Sequence, residues 1–190
     1  MSKILVDTID TRSGTSNITI GSTNASQITL KSGATLTNFP ANTPAFEAYL
    51  NAEQTTSDEA STKITINAEN FDTDSAFDTS TNKFTVPSGK AGKYYLYANV
   101  RTYTNADQNK VLRVYFYKNG STSIPATFQV GFQFDNQRPT EMNQNISATL
   151  DLSAGDYIEL YVYTDVVGGQ PAAKARPNVT YFGGYRLAGV

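Results

Sequence analysis

From residue 44 onward the apolar side chains recur with a period of two, and that constrains the fold of this chain more than any other property. Ile146, Ala148, Leu150 and Leu152 alternate with Ser147, Thr149 and Asp151, and after the turn signal Ala154-Gly155-Asp156 the pattern resumes at Ile158, Leu160 and Val162. Two alternating runs around a short turn predict a hairpin. Phe128, Val130, Phe132 and Phe134 alternate in the same way with Gln129, Gly131 and Gln133. Successive side chains of a strand point to opposite faces, so burial on one side only is written as this alternation. Two further runs, Tyr94 to Val100 and Val111 to Tyr117, are apolar or aromatic at nearly every position. They predict strands covered on both faces, one by the core and one by a partner subunit.

Helix signals are nearly absent, since no window of a dozen residues combines apolar positions at i, i+3, i+4 and i+7 with a cap. The best helical candidate, Ala45 to Gln54, is short. Turn signals recur at Ser88-Gly89, Ala91-Gly92, Asn119-Gly120, Asp135-Asn136, Gly155-Asp156 and Gly168-Gly169. That punctuation belongs to an antiparallel sandwich or barrel, and an all-β jelly roll is expected.

Composition restricts the chemistry. The 190 residues contain no His, Cys or Trp. Imidazole-dependent triads and His-ligated metal sites are therefore excluded, as are thiol nucleophiles, disulfides and iron–sulfur clusters. The net charge of −2 leaves no basic footprint for nucleic acid. No segment reaches the roughly 20 apolar residues that span a bilayer as a helix. The expectation is a protein with no catalytic residues, no cofactor and no bound metal.

Four segments in order carry a resemblance that covers residues 44–190. They are Pro44-Ala45-Phe46-Glu47-Ala48-Tyr49-Leu50, then the stretch from Phe71-Asp72 through Phe77-Asp78-Thr79 and Phe84-Thr85-Val86-Pro87-Ser88-Gly89 to Gly92-Lys93-Tyr94-Tyr95-Leu96. Val114-Tyr115-Phe116-Tyr117-Lys118-Asn119-Gly120 follows, and Tyr181-Phe182-Gly183-Gly184-Tyr185-Arg186-Leu187 closes the series. This order and spacing resembles the globular head of the C1q/TNF-like superfamily. The resemblance implies a jelly-roll binding module that assembles as a homotrimer, with the first half of 45–54 as a strand. It also implies that one tyrosine-bearing sheet faces the trimer axis, and that both ends of the jelly roll lie at the trimer's base.

Residues 1–43 read as a separate stalk or arm. After Lys3-Ile4-Leu5-Val6-Asp7-Thr8-Ile9 come short couplets, Ile18-Thr19-Ile20, Ile28-Thr29-Leu30 and Ala34-Thr35-Leu36, separated by Gly, Ser and Asn. Each couplet buries too little to offset the backbone ordering cost of about 1–2 kcal/mol per residue in a lone chain. Three chains on one axis bury them together. A disordered Ser/Thr/Asn linker is the other reading of this composition. The segment is similar to the amino-terminal parts of bacteriophage tail-fibre and head-fibre proteins. That likeness implies anchoring to other virion proteins, with Ile4, Val6 and Ile9 as the anchoring residues. The opening apolar run ends after three residues, so no export signal is expected. A virion assembled in the host cytoplasm and released by lysis fits an extracellular module without one.

Candidate sites follow from residue type. Tyr95, Tyr97, Tyr161 and Tyr163 are candidates for the oligomer interface or for a carbohydrate-stacking platform, because tyrosine supplies large contact area with a hydroxyl that finds a partner. Three loops qualify for ligand binding, Thr102 to Lys110, Asp135 to Asn145 and Asp165 to Asn178. In the middle one Asp135, Asn136, Gln137 and Arg138 combine carboxylate, amides and guanidinium, groups that hold sugar hydroxyls. The same residues also make an ordinary polar turn. Asp74, Asp78, Asp107 and Asp165 show no calcium-loop spacing, and Asp58-Glu59 lacks the flanking aromatics expected around a glycosidase pair.

The sequence thus reads as a trimeric phage virion protein, a short fibre, spike or capsid decoration, displaying C1q-like heads toward host-surface polysaccharide. A capsid cement protein and a bacterial surface adhesin are the alternatives from other classes, with a glycosidase behind them.

Overall fold

The computed structural model describes residues 32, 42–104, 109–120, 122–123, 129–130 and 139–187. The chain divides into units 1–39 and 40–190, and every element described below lies in the second. In chain order the strands are β1 (Ala45–Tyr49), β2 (Gln54–Thr55), β3 (Ala60–Lys63), β4 (Ala68–Asp72), β5 (Phe77–Asp78), β6 (Lys83–Thr85), β7 (Gly92–Tyr103) and β8 (Asn109–Lys118). They continue with β9 (Thr122–Ser123), β10 (Gln129–Val130), β11 (Glu141–Leu152), β12 (Tyr157–Val166), β13 (Ala172–Ala173) and β14 (Tyr181–Arg186). No helix occurs among the described residues.

The strands form two antiparallel sheets. In the first, β7 is central, with β11 along one edge and β14, then β13, along the other. β14 continues to β1 and β4, and β13 continues to β2. In the second, β8 and β12 are paired over their full lengths, flanked by β9 and β10 on one side and by β6 and β5 on the other. Beyond the short β6 pairing, residues 59–64 bind the same edge of β12, through Glu59 N–H to the Thr164 carbonyl (2.7 Å) and Ile64 N–H to the Leu160 carbonyl (2.9 Å).

Alternation decides which side chains meet. On β7, Tyr94, Leu96, Ala98 and Val100 are buried, while Tyr95 and Tyr97 between them and Arg101 beyond them are only partly covered. Facing them from the second sheet are Leu112, Val114 and Phe116 of β8 and Ile158, Leu160 and Val162 of β12. Phenylalanines fill the centre. The Phe46 ring stacks on Phe84 at 4.7 Å and on Phe77 at 5.3 Å, and meets Phe182 edge-on at 5.0 Å. Such ring pairs add about 0.5–1.5 kcal/mol each beyond the area they bury. The candidate helix over 45–54 therefore begins as strand β1, because Phe46 and Ala48 at period two are what the core accepts.

One expectation is overturned. β11 and β12 do not form a hairpin: β11 pairs with β7 in the first sheet, and β12 pairs with β8 in the second. The turn between them is pinned to the strand end at Val86, whose N–H donates to the Asp156 carbonyl and whose carbonyl accepts from Gly155, both at 2.9 Å. The chain crosses there from one sheet to the other. Alternation and turn chemistry are the same for a hairpin and for a sheet-to-sheet crossover, so the sequence pattern was compatible with both.

The two ends of the sandwich differ. At one end, the base, the chain enters and leaves: Arg186 N–H donates to the Pro44 carbonyl (3.0 Å) and Leu187 N–H to the Lys93 carbonyl (2.8 Å). At the far end the roots of the three candidate loops converge. Thr104 N–H donates to the Thr140 carbonyl (2.9 Å), Asn109 spans Pro139 and Thr140 with its side-chain amide, and Thr56 N–H donates to the Pro171 carbonyl (2.9 Å).

Two outcomes follow for stability. Phe46 is 0% exposed and Phe71 47% exposed. In denaturant titrations Phe46→Ala is expected to cost about 3–5 kcal/mol, while Phe71→Ala stays within about 0.5 kcal/mol of wild type. At the base, the Asn119 side chain and the Lys118 ammonium lower the Asp156 carboxyl from 3.8 to about 2. A folded-state value below the unfolded one contributes stability above pH 4 that is lost as pH falls toward 2. Urea midpoints between pH 5 and pH 2 should therefore fall less steeply for Asp156→Asn than for wild type.

Candidate functional site

The outward positions of the first sheet carry a field of tyrosines. Register places Tyr185 opposite Tyr95, Gly183 opposite Tyr97, and Tyr181 opposite Asn99. Ring centroids lie 5.6 Å apart for Tyr95 and Tyr185, and 6.2 Å apart both for Tyr95 and Tyr97 and for Tyr97 and Tyr181. All four are partly exposed. Gly183 makes this possible, because a Cβ there would stand 2.5 Å from the Tyr97 ring. The ring lies across the glycine and its hydroxyl donates to Glu47 Oε2 at 2.8 Å, while Asn70 donates to Glu47 Oε1 at 2.8 Å. Burial, then the Glu47 carboxylate, push the Tyr97 hydroxyl well above its ordinary range, so it remains a donor at any physiological pH.

β11 borders this field with small and polar outward residues, Asn143, Asn145, Ser147, Thr149 and Asp151, all exposed. Asn143 and Asn99 exchange amide hydrogen bonds at 2.9 Å across the β7–β11 pair. Between the tyrosines and the edge strand is an open depression of about 380 Å³ lined by Tyr95, Tyr97, Asn145, Ser147 and Tyr181. Rings that hide a face and present a hydroxyl, beside a polar rim, have the composition of an interface rather than of a core.

Tyr161 and Tyr163 lie elsewhere. They project outward from β12, on the opposite face of the sandwich. Tyr161 packs on Tyr117 at 4.1 Å, and the Arg113 guanidinium sits 4.7 Å from the Tyr163 ring centroid. The four tyrosines singled out from the sequence therefore split two and two, and one surface built from all of them does not exist. Tyr95 and Tyr97 are instead joined by Tyr181, Tyr185 and Glu47, which the sequence reading passed over. The spacing Tyr181-Phe182-Gly183-Gly184-Tyr185 held the signal: two outward tyrosines around a glycine that a neighbouring ring can cover.

Asp135, Asn136, Gln137 and Arg138, and Ile4, Val6 and Ile9, lie outside the described residues, as does Asp107. Of the other acidic candidates, Asp58 and Asp165 lie near one another beside Lys110, and Asp74 and Asp78 are engaged elsewhere. Asp58 accepts from Val166 N–H (2.8 Å), Asp74 pairs with Lys90 (3.4 Å), Asp165 pairs with Lys110 (2.7 Å), and Asp78 caps Ser80 and Thr81. Glu59, next to Asp58, sits in a left-handed turn (φ 51°).

No protein-family model matches this chain, and no curated protein does. Solved structures match it. The globular domain of zebrafish complement 1qA protein aligns over 76% of this chain and 96% of its own, with a TM-score of 0.52 at 18% identity. Eiger TNF from S. frugiperda gives 0.49 at 14% identity, over 77% of this chain and 95% of its own. Murine APRIL gives 0.49 at 15%, over 75% and 99%. At these identities the likeness is one of fold, and the fold is the C1q/TNF-like antiparallel jelly roll expected from the sequence.

Proposed function

We propose that this chain is a non-enzymatic, homotrimeric virion protein of a bacteriophage, a short fibre, spike or capsid decoration. In this reading residues 1–43 attach it to other virion proteins and the jelly-roll heads face outward, where they adhere to host-surface glycans. The observation that carries the trimer is the tyrosine field on the first sheet. Five outward side chains, Tyr95, Tyr97, Tyr181, Tyr185 and Glu47, are organised over Gly183 into a rigid, half-covered surface. A monomer gains little from so much ordered aromatic area left partly in water, and a second copy of the chain covers it.

The arrangement of the two ends supports the outward-facing head. The jelly roll begins at Pro44 at the base, and the three candidate loops are rooted at the opposite end. The virion assignment draws on the Ser/Thr/Asn/Gly-rich couplets of residues 1–43. Binding, rather than turnover, draws on a chain without His or Cys whose outward groups are hydroxyls, amides and ion pairs.

The mass in solution tests the assembly. Light scattering on the full chain should give three times its 20.7 kDa. Tyr95→Arg or Tyr185→Arg, which place a charge in the field, should return it to the mass of one chain, and Tyr161→Arg on the opposite face should leave the trimer intact. A wild-type monomer, or dissociation by Tyr161→Arg alone, contradicts the reading. Mass spectrometry of purified particles tests the virion assignment, and absence of the protein from them removes it.

A further inference from the structure

Toward the far end, the outward row that begins with Tyr95 and Tyr97 turns from aromatic to charged. Arg101 and Tyr103 continue it along β7, and Lys174 lies beside Arg101 through its N–H to the Arg101 carbonyl (2.8 Å). Glu141, at the start of β11, is paired with both Lys174 and Arg101. Those two cations hold its carboxyl below the usual range. The Tyr103 hydroxyl donates to Glu53 Oε2 at 2.7 Å, and the Lys174 ammonium stands 4.9 Å from the Tyr103 ring centroid. Glu53, Arg101, Lys174, Ala175, Arg176 and Val179 enclose a cavity of about 200 Å³.

Arg176 differs from its neighbours in two ways. Its guanidinium forms none of the ion pairs found among the described residues. Its backbone has φ 149°, a region that belongs essentially to glycine. Three hydrogen bonds hold it there: its N–H donates to the Leu50 carbonyl (3.0 Å), and its carbonyl accepts from Val179 (3.0 Å) and Thr180 (3.2 Å). Arg176 is exposed at the rim of the cavity, so its guanidinium is open to an incoming anion.

We propose that this cavity binds a hexuronate unit of an acidic polysaccharide, with Arg176 as the partner of the sugar carboxylate. The charge balance favours a monoanion: Arg101, Lys174 and Arg176 line the cavity with Glu53, and Glu141, paired with Arg101 and Lys174 outside the lining, offsets one further charge, which leaves one positive charge. Glu53, the carboxylate that lines the cavity, favours a ligand that also carries hydroxyl donors. Inorganic phosphate at neutral pH presents mostly acceptors and meets repulsion from Glu53. The space, equivalent to about seven water molecules, suits a single sugar ring. This assignment names the ligand class for the outward-facing head and rests on the reading that the far end is the exposed one.

Titration of the full-length protein with glucuronate, glucose and inorganic phosphate at pH 7, followed by amide chemical shifts, tests it. Glucuronate should saturate at the Arg101, Lys174 and Arg176 amides at concentrations at least ten-fold below any glucose or phosphate response. Arg176→Ala should weaken binding about ten-fold or more, the worth of one hydrogen bond between charged partners. Arg176→Gly should lose the same affinity and unfold at a higher temperature than wild type, because glycine removes the backbone strain. Equal binding of glucose or phosphate, unchanged affinity in Arg176→Ala, or no saturable glucuronate binding overturns the proposal. The mass of the same samples separates the two claims: a trimer that ignores glucuronate leaves the assembly standing without this ligand, and a monomer that binds it does the reverse.

Discussion

The packing of Phe46 against Phe84, Phe77 and Phe182 is the interaction on which the rest depends. It locks β1 and β14 of the first sheet onto β5 and β6 of the second, and so fixes which side of each strand is inside. Because the strand period is two, a slip of one residue would turn Tyr95, Tyr97 and Arg101 into the core and send Leu96, Ala98 and Val100 to the surface. The aromatic core thus determines which side chains reach the outer face, those of the tyrosine field and of the charged cavity alike. Gly184 shows how tight that fit is: a Cβ there would stand 2.4 Å from a Leu96 methyl and 2.9 Å from the Tyr95 carbonyl.

How much of this was legible in the sequence follows from the range of each signal. Alternation is local, so the strands and their inward residues could be read from Ile146 to Leu152 or from Ile158 to Val162 without knowing what lay opposite. Sheet membership is not local. The turn at Gly155 and Asp156 serves a hairpin and a crossover equally, so alternation alone pairs β11 with β12, whereas the fold places them in different sheets. The same blindness grouped Tyr161 and Tyr163 with Tyr95 and Tyr97. The far-end cavity was out of reach for a further reason: Glu53, Arg101, Glu141 and Arg176 come from four segments scattered through the chain. Each is unremarkable in its own stretch, and only the antiparallel register brings them together.

The chemistry of the surface follows from what the chain lacks as well as from what it has. With no imidazole and no thiol, its polar groups are carboxylates, amides, hydroxyls and fixed cations, which hold and orient but do not readily shuttle protons near neutrality. The outward face of the first sheet grades from tyrosines near the base and middle to ion pairs at the far end. In the proposed reading the tyrosines serve contact between copies and the charged end serves recognition of a hydrated anion, both on the same outward row of β7.

The central claim is that the tyrosine face of the first sheet meets its own copies around a threefold axis. Because the chain has no native cysteine, a single introduced cysteine carries a single spin label, and electron–electron distances between subunits test the claim directly. A label at Ser147→Cys, on the edge strand beside Tyr97, should give a three-spin signal at markedly shorter distance than a label at Lys83→Cys on the opposite sheet. No dipolar signal from Ser147→Cys, or a shorter distance from Lys83→Cys, would contradict it.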